Sequence, residues 1–454
     1  MKNKKYIIAA FALLIAGLDS CKKGEDLYTS PNQPANATPQ TLLSAVEVGT
    51  FNNLEGGAVR IASIFIQYNS GVAAQSIPHE QYMPTESDMD NYWNGLYTNM
   101  NNCKLLIDTY GTQDPYYSGI AKVLFAMNLG QTTDLWGDVP FAEAFQGMDG
   151  KFTPHFDSQQ AVFNAIQTML NEAIASFATT AGSNHLMPAS DDFIFNGNVV
   201  SWKKVAYTLK ARYYSRLSKK AGFDPNVVLT NLALGISSNA ENCYSVHGTK
   251  GAEYNQWYAF MNDRSYMVAS KVLIDSMGNM TDPRTPFYFD TTGVGSAVGN
   301  ALGDLNPDVS YWGPYLTASS AKHIPLVSFA EAQFLKAEAE VRLGNATAFT
   351  TLNNAIMASV SEVTEGAYTG STIATHTALN TTIHTVIVEK WKSMFAQPIE
   401  AYSDYRRTGF PILTPNPNAL RTYIPKRLPT SLTERISNPN APTPGLDVPV
   451  WYAQ

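Results

Sequence analysis

The sequence predicts a mainly α-helical protein with minor β structure. Apolar residues recur at positions i, i+3, i+4 and i+7 in successive windows, which is the period of an amphipathic helix. Several windows end near a glycine, as at Gly111 and Gly344, because glycine readily takes the left-handed conformation that closes a helix. Strand-like alternation is confined to short runs at Val246, 287–289 and 323–326.

The predicted helices follow one another along most of the chain. The first follows Pro39, and proline is favoured in the first turn of a helix. The window 328–343 ends in the small-residue and Leu-Gly pattern of a tetratricopeptide helix, and a helix–turn–helix spacing of roughly 34 residues recurs loosely. We therefore expect tetratricopeptide-like helix pairs. The predicted helices cover 41–53, 92–110, 116–135, 158–177, 201–219, 225–236, 265–277, 328–343, 347–360 and 384–395.

Two long segments interrupt this pattern. Residues 278–322 are rich in Gly, Asp, Pro and Tyr and show no period, and residues 411–449 are rich in Pro and Asn. A long irregular segment within a packed helical body is usually functional or disordered. We therefore expect long irregular loops at these two places.

Composition excludes several protein classes. The chain carries 31 Lys and Arg against 38 Asp and Glu, and 44% of its residues are hydrophobic, so it is neither a disordered protein nor a nucleic-acid binder. Only 15% of the residues are charged, while 24 are Tyr and 34 are Asn. Neutral amides and aromatic faces suit a neutral, hydroxyl-rich ligand.

The N-terminus predicts export and membrane anchoring. Lys2, Lys4 and Lys5 precede an apolar stretch at 7–17, which is too short to span a bilayer and has the length of a secretory signal. The stretch ends in Leu18-Asp19-Ser20-Cys21, which resembles a bacterial lipobox, although an ordinary signal peptide with a coincidental cysteine is the alternative. The predicted organisation is a signal peptide at 1–20, a flexible tether at 21–38 that begins at lipidated Cys21, and one body at 39–454.

Two cysteines, Cys103 and Cys243, remain after Cys21. An exported protein with so few cysteines does not depend on a disulfide framework. We expect two buried thiols, with a single bridge as the alternative.

No motif of metal or covalent catalysis occurs in the sequence. The seven histidines are scattered, and no phosphate-binding loop or nucleophile elbow is present. The oxygen-rich loop with Asp304, Asn306 and Asp308 lacks the glycine and final glutamate of an EF-hand calcium site. We expect no cofactor and no enzymatic activity.

Pairs of carboxylates leave glycoside hydrolysis open as the enzyme alternative. The candidate pairs include Asp191-Asp192 and Glu86 with the aspartates that follow it. Glu331, Glu338 and Glu340 lie on one amphipathic helix, so solvated or structurally paired roles are expected for them.

Aromatic residues in non-periodic loops are the candidates for ligand binding. Rings beside Asn, Asp and Gly offer flat faces to a sugar or an apolar ligand, and neighbouring amides fix its orientation. For the helix that starts near residue 92 and for the loop 311–315, packing in the core is the competing interpretation. The predicted ligand-binding residues are Tyr82, Asp90, Tyr92, Trp257, Tyr258, Tyr311, Trp312 and Tyr315.

Several motifs in fixed order resemble the SusD/RagB outer-membrane lipoproteins of Bacteroidetes, and in particular the second SusD-like group. The resemblance covers essentially the whole chain. It departs from the family pattern after Arg427, where Leu428-Pro429-Thr430 stands in place of the common Leu-Tyr-Pro. The motifs that carry it are the lipobox, 134–141, 282–284, 331–344, 389–395, 400–411, 424–428, Glu434 and Asn438.

The resemblance implies a single α-helical body in which tetratricopeptide-like helix pairs form a scaffold. It also implies a cell-surface lipoprotein that captures oligosaccharides and delivers them to a SusC-like TonB-dependent transporter in the outer membrane. A peptide-binding member of the same family, an exported helical glycoside hydrolase and a scaffold or adhesion lipoprotein are the alternatives.

Overall fold

A row of neighbouring helices forms the body of the protein. The structure is a computed structural model that describes residues 37–291, 295–370 and 376–454. In packing order the row consists of α1 (Pro39–Glu55), α4 (Asp90–Tyr110), α5 (Pro115–Trp136), α6 (Gln159–Phe177), α7 (Val199–Ser215), α8 (Pro225–Leu232), α13 (Phe329–Leu343), α14 (Ala348–Val363) and α15 (Ile383–Ser393).

Shorter helices and short strands pack around this row. The shorter helices are α2 (Gly57–Phe65), α3 (Ser76–Glu80), α9 (Gln256–Asp263), α10 (Lys271–Ser276), α11 (Thr285–Tyr288), α12 (Pro314–Thr317), α16 (Pro398–Thr408) and α17 (Leu432–Ser437). The strands are β1 (Asn69–Gly71), β2 (Cys243–Ser245), β3 (Met267–Ala269) and β4 (Ile324–Val327). The predicted mainly α fold with minor β structure is confirmed.

Local sequence explains where the long helices begin and end. The Ser328 hydroxyl accepts a hydrogen bond from the Glu331 amide at 3.2 Å and caps α13. Gly344 closes the same helix with φ of 71°, a conformation that a residue with a Cβ rarely adopts. Gly137 ends α5 with φ of 86° and ψ of −116°, a different backbone conformation that also favours glycine.

The predicted helix at 265–277 is wrong in its first half. Met267–Ala269 instead forms β3, which pairs antiparallel with β1 so that Asn69 faces Ala269. Only Lys271–Ser276 is helical, and the hydroxyl of Ser270 caps it by accepting from Val272 N at 3.3 Å. Residues 267–269 form a strand because they pair with β1, which lies 200 residues earlier in the chain. The local periodicity of the sequence gives no information about such a distant partner.

The two small sheets tie distant segments together. β1 and β3 join the segment after α2 to the segment after α9. β2 and β4 pair antiparallel with Cys243 opposite Val327, and a bulge separates Cys243 from Tyr244. These pairs fix the loops at the ends of the strands, including the loop after β2.

Charged residues of the motif regions form a buried ion network. Arg212 Nε donates to Glu331 Oε1 at 2.7 Å, and Arg216 Nη2 lies 3.0 Å from Asp134 Oδ2. Lys390 Nζ lies 2.9 Å from Asp404 Oδ2. The network consists of Asp134 of α5, Arg212 and Arg216 of α7 and its end, Glu331 and Glu338 of α13, Lys390 of α15, and Glu400, Asp404 and Arg407 of α16.

This network corrects part of the sequence interpretation of α13. Glu331, Glu338 and Glu340 are all buried, so the solvated role is wrong for them. The structurally paired role is confirmed, because Glu331 binds Arg212 and Glu338 binds Arg407. Burial alone would raise the pKa of Glu338, but the Arg407 guanidinium outweighs it and holds that pKa below its usual value.

Cys103 and Cys243 are unpaired and buried, as expected. Burial raises the pKa of both thiols, so both stay protonated.

The predicted signal peptide, the lipidation site at Cys21 and nearly all of the tether lie outside the described residues. Within the described part of the chain, no helix is long and apolar enough to cross a bilayer.

We predict that Arg407→Met destabilises the protein by about 3–5 kcal/mol, because the buried carboxylates of Glu338 and Asp404 would lose their shared cation. The matched control is Arg435→Met, which removes a partly exposed pair with Glu86 and should cost less than about 1 kcal/mol. Urea denaturation monitored by circular dichroism measures both. Equal losses in the two variants would contradict the importance of the buried network.

We further predict that folding stability declines as the pH falls from about 4.5 to 2. Burial favours the neutral form of Glu389, but His376, Lys392 and Arg284 outweigh it and hold its pKa at about 2. A carboxyl with a lowered pKa in the folded state stabilises that state above its ordinary pKa and loses this effect as the pH falls through the folded value.

Glu389→Gln should therefore flatten the decline in the free energy of unfolding by at most about 3 kcal/mol. Glu172→Gln, which alters an exposed carboxylate, is the control and should leave the decline unchanged. Urea denaturation at a series of pH values measures the effect, and a curve for Glu389→Gln that parallels the wild-type curve would contradict it.

Candidate ligand-binding cleft

A surface cleft of about 370 Å³ lies between α1 and the loop that follows β2. We call it the aromatic cleft. Its lining combines apolar and aromatic side chains with a few polar groups, which is the usual make-up of a small-molecule site. The lining residues are Val48, Phe51, Asn52, Phe193, Val246, His247, Gly248, Ala252, Glu253 and Tyr254.

α1 supplies one wall of the aromatic cleft. Val48, Phe51 and Asn52 are three and four residues apart, so they share one face of the helix. The ring of Phe51 is buried and meets the His247 ring edge to face, with centroids 5.9 Å apart.

The opposite side depends on Asn255, which caps α9. Its side-chain oxygen accepts from Tyr258 N at 2.7 Å, and its Nδ2 donates to Leu316 O at 3.0 Å. The cap joins α9 to α12, so the segment on either side of Asn255 has a fixed orientation. Tyr254 and Tyr258 then meet edge to face, with centroids 5.6 Å apart and planes at 83°.

A buried carboxylate organises the polar end of the cleft. Glu55 Oε1 lies 3.0 Å from His247 Nε2, and Glu55 Oε2 accepts from Gln256 N at 3.4 Å. Gln256 Nε2 in turn donates to Asn52 Oδ1 at 3.1 Å. His247 Nδ1 lies 3.2 Å from Glu253 O, so both ring nitrogens have partners within the protein. The amides of Asn52 and Gln256 are the groups at this edge that can hydrogen-bond sugar hydroxyls.

Phe193 forms an exposed wall of the cleft and is held by two carboxyls. Its amide donates to Glu47 Oε2 at 2.8 Å, while Asp192 accepts from Gly197 N and Trp202 Nε1, both at 2.8 Å. Burial raises the pKa of Glu47 well above its usual value, and the neighbouring Asp192 raises it further.

Ser245, His247 and Glu55 come together but do not form a catalytic triad. Ser245 Oγ at 2.9 Å and Glu55 Oε1 at 3.0 Å both meet the same ring nitrogen, Nε2 of His247. A triad requires the nucleophile on one nitrogen and the acid on the other. Ser245 Oγ also donates to Ile324 O at 3.1 Å, so the hydroxyl is part of the β2–β4 pairing.

A family model described as "Starch-binding associating with outer membrane" matches residues 31–429 of the chain. The chain belongs to this SusD-like family. The resemblance drawn from the ordered motifs is thereby confirmed.

Solved structures share the fold over almost their whole length. A SusD/RagB family protein from Bacteroides thetaiotaomicron is 24% identical with a TM-score of 0.76, and the match covers 92% of this chain and 99% of that one. A chitin-binding protein is 23% identical with a TM-score of 0.78 over 92% and 100% of the two chains. A chitin-binding SusD homolog from Flavobacterium johnsoniae is 20% identical with a TM-score of 0.76 over 91% and 98%. No curated protein matches the chain.

Four of the aromatic residues predicted to bind ligand are buried in this SusD-like body. Trp257 and Trp312 meet edge to face with centroids 4.9 Å apart, and Trp312 Nε1 donates to Asn69 Oδ1 at 2.6 Å. Tyr315 donates to Glu362 at 2.9 Å, and the Tyr82 hydroxyl accepts from Asn416 N at 3.0 Å. The expectation of exposed rings is wrong for these four, because each fills the core and has an internal partner or packing neighbour.

The other predicted residues lie at or near the surface. Asp90 Oδ1 accepts from Ser431 Oγ at 2.7 Å and Thr433 N at 2.9 Å, so it holds the start of α17. Tyr92 and Tyr258 are half-buried.

Tyr311 is also half-buried, and its carbonyl accepts from Asp290 N at 2.9 Å.

Among the predicted residues at the surface, Tyr258 lies beside the aromatic cleft, because it contacts the lining residue Tyr254.

Phe51, Phe193 and His247 line the cleft but were not among the predicted ligand-binding residues. Phe51 lies within the predicted helix 41–53, and Phe193 and His247 lie in short segments without an aromatic cluster. Tyr254 lies three residues before Trp257 and four before Tyr258, which were predicted. The local composition therefore located one side of the cleft but not the other.

We predict that Trp312→Ala destabilises the fold by about 3–5 kcal/mol, because a large buried ring and its hydrogen bond to Asn69 are lost. Trp451→Ala, at a half-exposed ring near the C-terminus, is the control and should cost less. Thermal unfolding of both variants measures the difference. Full stability of Trp312→Ala would contradict the supporting role of this ring.

Proposed function

We propose that the protein is a cell-surface lipoprotein that captures oligosaccharides at the aromatic cleft and delivers them to a partner SusC-like TonB-dependent transporter. The observation that carries the proposal is the aromatic cleft itself. It has exposed and half-exposed rings on two sides, from Phe193 and Tyr254, and the oriented amides of Asn52 and Gln256 at one edge.

The chemistry of the cleft suits a saccharide. The faces of a sugar ring are partly apolar and pack against aromatic side chains, while its hydroxyls need donors and acceptors at the rim. The side-chain amides of Asn52 and Gln256 supply both kinds of hydrogen-bonding group. Tyr258, which contacts Tyr254, extends this surface and is retained as a ligand-binding residue.

Tyr92 and Tyr311 also stay ligand-binding predictions, since part of each side chain is accessible. In our proposal, four buried aromatic residues support the loops from beneath: Trp257, Trp312, Tyr315 and Tyr82. Asp90 attaches the start of α17 to α4.

Family membership supports the location and the partner. The family is described as starch-binding and associated with the outer membrane, and two solved relatives are described as chitin-binding. We propose that residues 1–20 are removed, that Cys21 is lipidated and that residues 21–38 tether the body 39–454 to the membrane. A transporter partner follows from the resemblance to the SusD/RagB lipoproteins.

Capture without chemistry is favoured over hydrolysis. The Ser245–His247–Glu55 group has the wrong arrangement for a nucleophilic triad. Glu55 is buried and bonded to His247 and Gln256, so it is not free to act as an acid or base on a bound sugar.

We predict that Phe193→Ala and Tyr254→Ala each weaken oligosaccharide binding by about tenfold, because each removes a ring face worth ~1 kcal/mol or more in stacking. Affinity electrophoresis on starch and glycol-chitin gels identifies the glycan, and calorimetry with oligosaccharides of that glycan gives the affinity. Product analysis on the same samples tests for turnover.

The control for this experiment is Phe152→Ala, which removes an exposed ring outside the cleft. It should bind as the wild type does. Unchanged binding in both cleft variants would contradict the site, and release of shortened glycans would favour the hydrolase.

A further inference from the structure

A second cleft, of about 420 Å³, opens beside the aromatic cleft. We call it the carboxylate cleft. Tyr244 of β2 lines it, and Val246, which directly follows β2, lines the aromatic cleft, so both clefts include a residue of the same short segment. The residues of the carboxylate cleft used below are Tyr244, Lys322, His323, Glu362 and Glu365.

Two phenol groups hold the carboxylate of Glu362. Tyr315 Oη donates to Glu362 Oε2 at 2.9 Å and lies 3.1 Å from Oε1. Tyr244 Oη accepts from Asn242 Nδ2 at 3.0 Å and hydrogen-bonds Glu362 with its own proton. Two O–H donors on one carboxylate fix its position and favour its charged form.

Glu362 has no ion-pair partner among the described residues. The nearby Lys322 pairs with Glu365 instead. Burial lowers the pKa of His323, and His247 and Lys322 lower it further, so this ring is neutral at neutral pH. The cleft therefore holds two carboxylates against one ammonium, and the unmatched carboxylate is the one that the tyrosines orient.

The environment of Glu362 makes an added cation favourable. Burial raises the pKa of Glu362 to about 7, although Tyr315 and Lys322 act against it. A cation placed beside this carboxyl would favour its charged form and displace its proton. The gain would be larger than at a solvated carboxylate because the group is already partly desolvated.

We propose that the carboxylate cleft binds the primary ammonium group of an unacetylated amino sugar in the captured oligosaccharide, with Glu362 as its counter-ion. This inference rests on the proposed function and names a ligand class for it. An ammonium has three donors, which match the carboxylate of Glu362 and the phenol oxygen of Tyr244, both in the lining of the cleft. A neighbouring residue of the same oligosaccharide would occupy the aromatic cleft.

Calorimetry with a glucosamine oligomer and the N-acetylated oligomer of equal length tests the inference on the full protein. We expect the wild type to bind the glucosamine oligomer about tenfold more tightly, with proton release that calorimetry in two buffers of different ionisation enthalpy detects. Glu362→Gln keeps an acceptor for both tyrosines but removes the charge, so it should lose this preference while it retains the N-acetylated ligand.

The matched control is Glu172→Gln, which removes the same charge from an exposed position outside both clefts. It should keep the preference. Equal or weaker binding of the glucosamine oligomer by the wild type overturns the inference alone, provided that neutral glycans bind. Preference retained in Glu362→Gln, or binding of trilysine in place of the sugar, also overturns it. If the protein binds no glycan, the proposed function fails as well.

Discussion

The buried ion network is the constraint on which the rest of the body depends. It joins α5, α7, α13, α15 and α16, which lie far apart in the chain, through Asp134, Arg216, Glu338 and Asp404 among others. A buried charge without a partner is strongly destabilising, so the charges must all be in place together. Nonpolar packing allows small shifts between helices, whereas paired buried charges permit one arrangement of α16 against the row.

That fixed arrangement allows the ligand surface to be built from loops. The loop after β2 and the segment around Phe193 have little secondary structure, and α9 is a short helix, yet each is held by buried polar bonds to the helical body. Asn255 caps α9 and bonds to the α12 region, and Glu55 orients His247. Asp192 accepts hydrogen bonds from backbone amides that precede α7, including Gly197 N. Each of these bonds joins a short segment to a rigid element, which limits the entropy lost when a ligand binds.

The two clefts near the end of β2 offer different chemical groups to a ligand. The aromatic cleft offers ring faces and neutral hydrogen-bonding groups. The carboxylate cleft offers Glu362, an acidic group that forms no ion pair within the described part of the chain. A ligand that occupied both clefts would need a largely neutral sugar chain with one localised positive charge. Stacking on aromatic rings discriminates poorly between sugars, so recognition of the charge would add selectivity.

The sequence by itself determined the helical class, most of the long helices, the unpaired cysteines and the SusD-like family, because these follow from local periods, caps and ordered motifs. It also predicted ligand binding at Trp257 and Tyr258, which follow the cleft residue Tyr254 closely in the chain. Tertiary structure decided which rings face solvent: Trp312 is surrounded by Gly and Pro like a surface residue, yet Asn69 and Trp257 bury it. It also turned 267–269 into a strand and paired Glu331 with Arg212. Such outcomes depend on partners many residues away, and a local pattern carries no information about them.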